Sequence, residues 1–220
     1  MEFGPYFKSY ELLVGQVEDT FKRVAKEFPA EVRCGLGCSD CCFALFDMSL
    51  VESIYIKHQF DQRFKGNDRS NIIERANTAD RAVHKLKKKA YQAIEHGEPE
   101  EKIITKMSQE RVRCPMLDDN DQCLIYDVRP ITCRLYGIPT EIAGQAHTCG
   151  KSGFSEGHSY PTVKLGAINQ RLQEISLSMA QGINSRYAKL SEMLVPLSMA
   201  LLTDYTEEYL GVVQHHQPKE

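Results

Sequence analysis

The sequence predicts a mainly α fold with a small β-hairpin, an irregular cysteine-rich core and a run of C-terminal helices. Three observations carry that expectation. Apolar residues recur at spacings of three and four through most of the chain. A turn-rich tetrapeptide, Asp118-Asp119-Asn120-Asp121, separates two short apolar arms. Eight cysteines, the third observation, gather in a few short stretches.

Leu13, Val17, Phe21, Val24 and Phe28 share one helical face over about 6–28, and Pro29 stops that helix. Residues 43–48 read as an extended link. Ser49-Leu50-Val51-Glu52 is a capping-box pattern that opens a helix to about residue 60, with Gly66-Asn67-Asp68 read as the end of the unit. Over 70–96 the stripe Ile72, Ala76, Ala79, Val83, Leu86, Ala90 and Ile94 predicts a long helix closed by Gly97. Its lysines, Lys85, Lys87, Lys88 and Lys89, read as a solvated face.

Pro99 suits the first turn of a short helix to about residue 110. Cys114-Pro115-Met116-Leu117 and Gln122-Cys123-Leu124-Ile125-Tyr126 are the arms of the hairpin. Asp127 then caps a short helix carrying Cys133 and Arg134, with Pro130 in its first turn and Gly137 at its end. Residues 138–160 form a Gly- and Ser-rich loop that holds His147, Cys149 and His158. Leu165, Ile168, Leu172, Ile175, Met179 and Ile183 predict one C-terminal helix. Leu190, Leu194, Leu197 and Leu201 predict another, kinked or restarted at Pro196. Residues 214–220, with His215 and His216, read as a tail.

Composition narrows the function classes. With 27 basic and 30 acidic residues the formal charge is −3, which speaks against a nucleic-acid footprint over the whole chain. The longest apolar run, 193–202, is broken by Pro196 and Ser198 and is too short to span a bilayer. The start, Met1-Glu2-Phe3-Gly4-Pro5-Tyr6, has neither a basic n-region nor an apolar h-region, so a cytoplasmic protein is expected. In a reducing compartment such a cysteine set binds metal or does redox chemistry rather than forming disulfides.

Cys34, Cys38, Cys41 and Cys42 fall within nine residues as C-x3-C-x2-C-C, where Gly35 and Gly37 let a short loop aim thiolates inward. Cys114, Cys123, Cys133 and Cys149 follow. All eight are candidate metal ligands, so the irregular core reads as a metal core. Thiolate is a soft ligand that selects zinc, Fe–S clusters or Cu(I), and one tetrahedral ion or one cubane takes four ligands. Two sites, or one site with spare thiols, both remain open. Neighbours in an extended segment point to opposite sides, so Cys41 and Cys42 are expected to serve different irons or sites, or one of them to be a buried hydrophobe.

The first cluster, Cys114-Pro115-Met116-Leu117 and the stretch from Cys123-Leu124-Ile125-Tyr126-Asp127 through Arg129-Pro130-Ile131-Thr132-Cys133-Arg134 resemble the CxxCxxCC cysteine-cluster family, the YkgJ-like zinc- or iron-chelating proteins. The resemblance covers about 33–149, and its first gap is three residues here rather than two. It implies a bound Fe–S cluster or zinc with these cysteines as ligands. It leaves the reaction open. A relative, the flagellin lysine N-methylase, carries a similar cysteine domain, but no glycine-rich cofactor fingerprint stands in this sequence. Cys34, Cys38 and Cys41 also match the C-x3-C-x2-C of radical S-adenosylmethionine enzymes. Asp40 stands where those enzymes carry an aromatic residue, and the alternating strands and helices they need are missing from the pattern.

Arg129 and Arg134 flank Cys133. They would stabilise a reduced cluster and donate hydrogen bonds to sulfur, or pair with Asp127 and nearby carbonyls as supports. His147 is a substitute ligand candidate, and Tyr126 and Tyr136 are candidate walls. The sequence thus predicts a cysteine-cluster metal-binding domain over 1–160, a helical C-terminal segment over 161–213 and a tail over 214–220. The expected cofactor is an Fe–S cluster of the 4Fe-4S type, with zinc as the alternative. The expected role is electron transfer or an accessory function with a protein or redox partner, without nucleic acid or membrane. A structural zinc-binding interaction protein and a lysine N-methylase-like enzyme are the alternatives.

Overall fold

Helix α1 (Gly4–Glu27) follows the predicted stripe and buries Tyr10, Leu13, Val17 and Val24, with Pro5 in its first turn. The computed structural model describes residues 1–35, 37–142 and 144–213, so the expected tail with His215 and His216 lies outside the described residues. Strand β1 (Asp47–Ser49) leads into α2 (Leu50–Arg63), and the capping box is formed: the Ser49 hydroxyl accepts from the Glu52 amide while Glu52 accepts from the Ser49 amide. Leu50, Val51, Ile56 and Phe60 are almost wholly buried on different faces, which marks α2 as the central helix of the fold. It packs against α1 and against two later helices.

Gly66-Asn67-Asp68 opens the third helix, α3 (Gly66–Glu95), instead of closing the second. The break falls at the extended residues Phe64 and Lys65, and Gly66 supplies the left-handed turn at φ +52. Asp68 in the first turn then suits the positive helix end. After Gly97 comes α4 (Glu100–Gln109), which packs mainly on α3. The predicted hairpin is minimal: a single Leu117–Cys123 bridge closed around Asp118-Asp119-Asn120-Asp121, with Leu124 donating to the Met116 carbonyl.

The expected helix after Asp127 is two pieces, a 3-10 turn (Tyr126–Val128) and α5 (Ile131–Leu135). Arg129 and Pro130 between them are extended, because a residue before proline avoids the helical region. The stretch predicted as an irregular loop holds β2 (Thr140–Ile142) and β3 (Gln145–His147), antiparallel, and β4 (Val163–Lys164) lies parallel to β2. Strands this short and exposed carry no alternation to read.

Helix α6 (Leu165–Gly182) matches its stripe. The second C-terminal stripe is not one helix. Leu190 lies in a 3-10 turn (Leu190–Glu192), Leu194 in β5 (Leu194–Pro196), and α7 (Leu197–Leu202) starts only after Pro196. Strand β5 pairs antiparallel with β1, Met48 opposite Val195. One apolar core joins α1, α2, α3, α5, α6 and α7, so the C-terminal helices pack into the same core as the N-terminal ones. The buried Lys57 ties α2 to the end of α7 by donating to the Leu201 carbonyl and pairing with Asp204 at 3.2 Å. Among the described residues no helix is long and apolar enough to cross a membrane.

Candidate metal centre

The cysteine loop is built by its own backbone. Gly37 takes φ +90, a left-handed value that turns the chain back, and the Cys38 amide donates to the Gly35 carbonyl. A 3-10 turn (Asp40–Phe43) then carries Cys41 and Cys42. The neighbours stand in a turn and not in the extended segment that the sequence reading assumed; both side chains line one cavity, with Cys42 buried and Cys41 half-buried. The Cys114 amide donates to the Cys42 carbonyl at 2.7 Å and the Val112 amide to the Phe43 carbonyl, fixing the second segment beside the first. Helix α5, anchored in the core by Ile131 and Leu135, delivers Cys133.

Seven cysteines line this one cavity of about 400 Å3: Cys34, Cys38, Cys41, Cys42, Cys114, Cys123 and Cys133. All eight cysteines are free thiols. Interaction within the thiol cluster, where each sulfur has one proton at most, holds Cys41 (beside Cys133 and Cys42) and Cys123 (beside Cys42) below their ordinary range and pushes Cys42 (beside Cys114, Cys123 and Cys41) and Cys133 (beside Cys41) above it. Burial and the neighbouring Cys38, Cys41 and Cys149 push Cys34 up to about 11, against the pull of Arg129.

Among the described residues no three His, Cys, Asp or Glu side chains stand ready to hold a metal ion as they are. A metal bound by Cys42 or Cys133 must release their protons, which the folded chain holds more tightly than a free thiol does. The donor set itself is soft and thiophilic and fits zinc or iron.

The two arginines divide. Arg129 stacks on Tyr126, its guanidinium carbon 3.9 Å from the ring centre, and its charge lowers Cys34, Cys41 and Cys123. Arg134 is buried and ties down the backbone: it pairs with Glu18 and donates to the carbonyls of Arg129 and Asp127 at 2.8 and 2.6 Å. Its support role holds α5 against α1, although its side chain also lines the cavity.

Cys149 sits apart and donates to Asp40 at 3.4 Å. Asp40 also accepts from Arg111 at 2.7 Å and lies 3.8 Å from the Lys151 ammonium. Partial burial acts to raise the Asp40 carboxyl, but the bonds from Cys149 and Arg111 prevail and hold it below its usual range. Sequence reasoning used Asp40 only to set aside another family and missed it as the link between the cysteine loop, Arg111 and the Cys149 segment. No local pattern marks it, since its partners lie 71 and 109 positions away. His147 is exposed on β3, and His158 is exposed beside the Tyr160 ring.

The sequence profile of the CxxCxxCC family, described as "Putative zinc- or iron-chelating domain", matches residues 33–150, more than half of the chain. The chain belongs to the CxxCxxCC family. Its matched span begins beside Cys34 and ends beside Cys149, so all eight cysteines lie within the CxxCxxCC domain. No curated protein and no solved structure matches the chain. That family description supports metal binding as the role of this domain.

Proposed function

We propose that this CxxCxxCC protein holds an iron–sulfur cluster of the 4Fe-4S type and serves in electron transfer or as the accessory of an enzyme. One observation carries the reading: seven thiols from three separated segments line a single cavity, a soft donor set spread around a space larger than one closed tetrahedral ion needs. The hydrogen-bonded set of Cys41, Cys42, Cys114, Cys123 and Cys133 is the candidate ligand source, with Cys34 and Cys38 beside it. A cluster with four thiolates is anionic, and the Arg129 guanidinium would offset that charge, stabilising the reduced form. Eight free thiols suit a cytoplasmic setting, and the partial exposure of Cys34 and Cys38 is what supports a protein redox partner.

Protein purified without oxygen should be brown and contain iron and acid-labile sulfide in similar amounts. Stoichiometric zinc without sulfide would overturn the Fe–S reading and leave a structural zinc protein. Within the Fe–S reading, Cys41→Ser, Cys123→Ser and Cys133→Ser should each lower iron content, because serine is a poor ligand for soft metals.

A further inference from the structure

The cavity at the thiols has a second kind of wall. Val83 of α3, Ile103, Ile104 and Met107 of α4, Phe46 and Leu197 line the same space. Helices α3 and α4 contain no cysteine, so this wall supplies no thiolate. Structural metal sites are closed around the ion, and an apolar wall left facing a void forfeits its dispersion contacts.

The polar side chains of this part of the lining already have partners. Lys87 binds Asp47 at 2.7 Å, Arg113 pairs with Asp121 and donates to the Asp118 carbonyl, Ser108 donates to the Thr105 carbonyl, and Ser198 donates to Asp80. Charge is balanced locally, which leaves apolar surface as the means of recognition. The space walled by α3, α4, Phe46 and Leu197 is the part of this cavity that lies beyond the thiols and the ion or cluster they would ligate. Ile104 lines it while 59% exposed, which puts the mouth at α4.

We propose that this cavity binds a neutral, largely apolar organic molecule between α3, α4 and the thiol-ligated centre. The site goes beyond metal chelation and holds for an iron or a zinc centre alike.

The probe is N-phenyl-1-naphthylamine, a neutral apolar dye whose emission rises out of water, and the chain has no tryptophan to interfere. Titrated into the metal-loaded full chain, it should bind saturably at one site. The Ile104→Gln/Met107→Gln double variant should weaken binding at least about tenfold, because each change sets an amide against the apolar probe. Leu194→Gln, at an exposed position outside the cavity, should leave it unchanged. Ile104→Gln alone, at the exposed mouth, should weaken binding in the same direction should the double variant lose helix content.

The proposal is overturned if the wild type shows no saturable binding, if affinity survives both Ile104→Gln and the double variant, or if Leu194→Gln abolishes it. Iron, sulfide and zinc assayed on the same samples report the nature of the centre separately. Metal content should not change with any of these variants.

Discussion

Gly137 shows how closely single residues set the thiol site. Its φ is +115, and a Cβ built there would stand 2.5 Å from the Cβ of Cys34. Gly137→Ala should therefore both strain the backbone and push Cys34 out of place, costing on the order of 1–3 kcal/mol in stability. Denaturant melts would measure that cost, and unchanged stability with unchanged metal content would refute it. The sequence placed Gly137 at the end of a helix, which holds for α5, but its approach to a cysteine 103 positions earlier in the chain leaves no local trace. Arg129 is a second case. Sequence reasoning left it open whether the two arginines served the sulfurs or the backbone; Arg134 binds carbonyls and Glu18, whereas Arg129 donates to the Tyr126 carbonyl and also carries its charge beside Cys34, Cys41 and Cys123. Arg129→Gln should lose metal to a chelator about 10–100-fold more readily, as expected when an outer partner of a metal site is removed. Arg129→Lys, which keeps the charge but not the planar stack on Tyr126, should recover part of that loss.

Among the elements, the join of α2 to α5 is made by a residue whose first role was readable and whose second was not. Glu52 completes the capping box at Ser49, a pattern confined to four residues, and its other oxygen accepts from the Ile131 amide at 3.0 Å and from the Tyr10 hydroxyl at 3.2 Å. It thereby caps the start of α5, the helix that delivers Cys133. Burial pushes its carboxyl pKa up, only partly countered by the bonds from Ile131, Ser49 and Tyr10. A folded-state pKa above the unfolded value of about 4.3 means that the folded protein holds the proton more tightly. Its contribution is full below that value and is lost as pH rises through the folded pKa. Glu52→Gln should remove that slope, so the stability of wild type relative to the variant should fall as pH rises from about 4. Parallel curves of unfolding free energy against pH would contradict this. The other element-level departures share one cause. Proline and tight turns cut an apolar stripe that spacing alone presents as continuous, as at Pro130 and Pro196.

For the whole molecule, helices with long stripes were legible because each stripe is local, whereas the pairing of β1 with β5 spans some 150 positions and rests on three-residue strands. The sequence divided the chain at residue 160, yet α6 packs on α1 and α2, and α7 packs on α2 and α3, in one core. That difference decides what metal removal should do. Among the described residues, Cys114 binds the cysteine loop at the Cys42 carbonyl, with Val112 to Phe43 and Gly153 to Glu31 on its two flanks. Closing these segments on one site restricts about seventy intervening residues, an entropic cost that metal ligation helps to offset. The segment between Cys114 and Cys149 is not uniform, however, because Ile131 and Leu135 fix α5 in the core. Anaerobic chelation should accordingly speed amide exchange in 34–42, 114–123 and 145–150 first. Helix α5 should lag behind them, and α2, α6 and α7 should stay protected with the apolar core. Exchange that rises equally in α6 and in the cysteine loop would mean that metal and core unfold as one unit. Unchanged exchange in all three cysteine segments of verified metal-free protein would mean that the thiols are held by the fold alone, as an open site for an exchangeable metal.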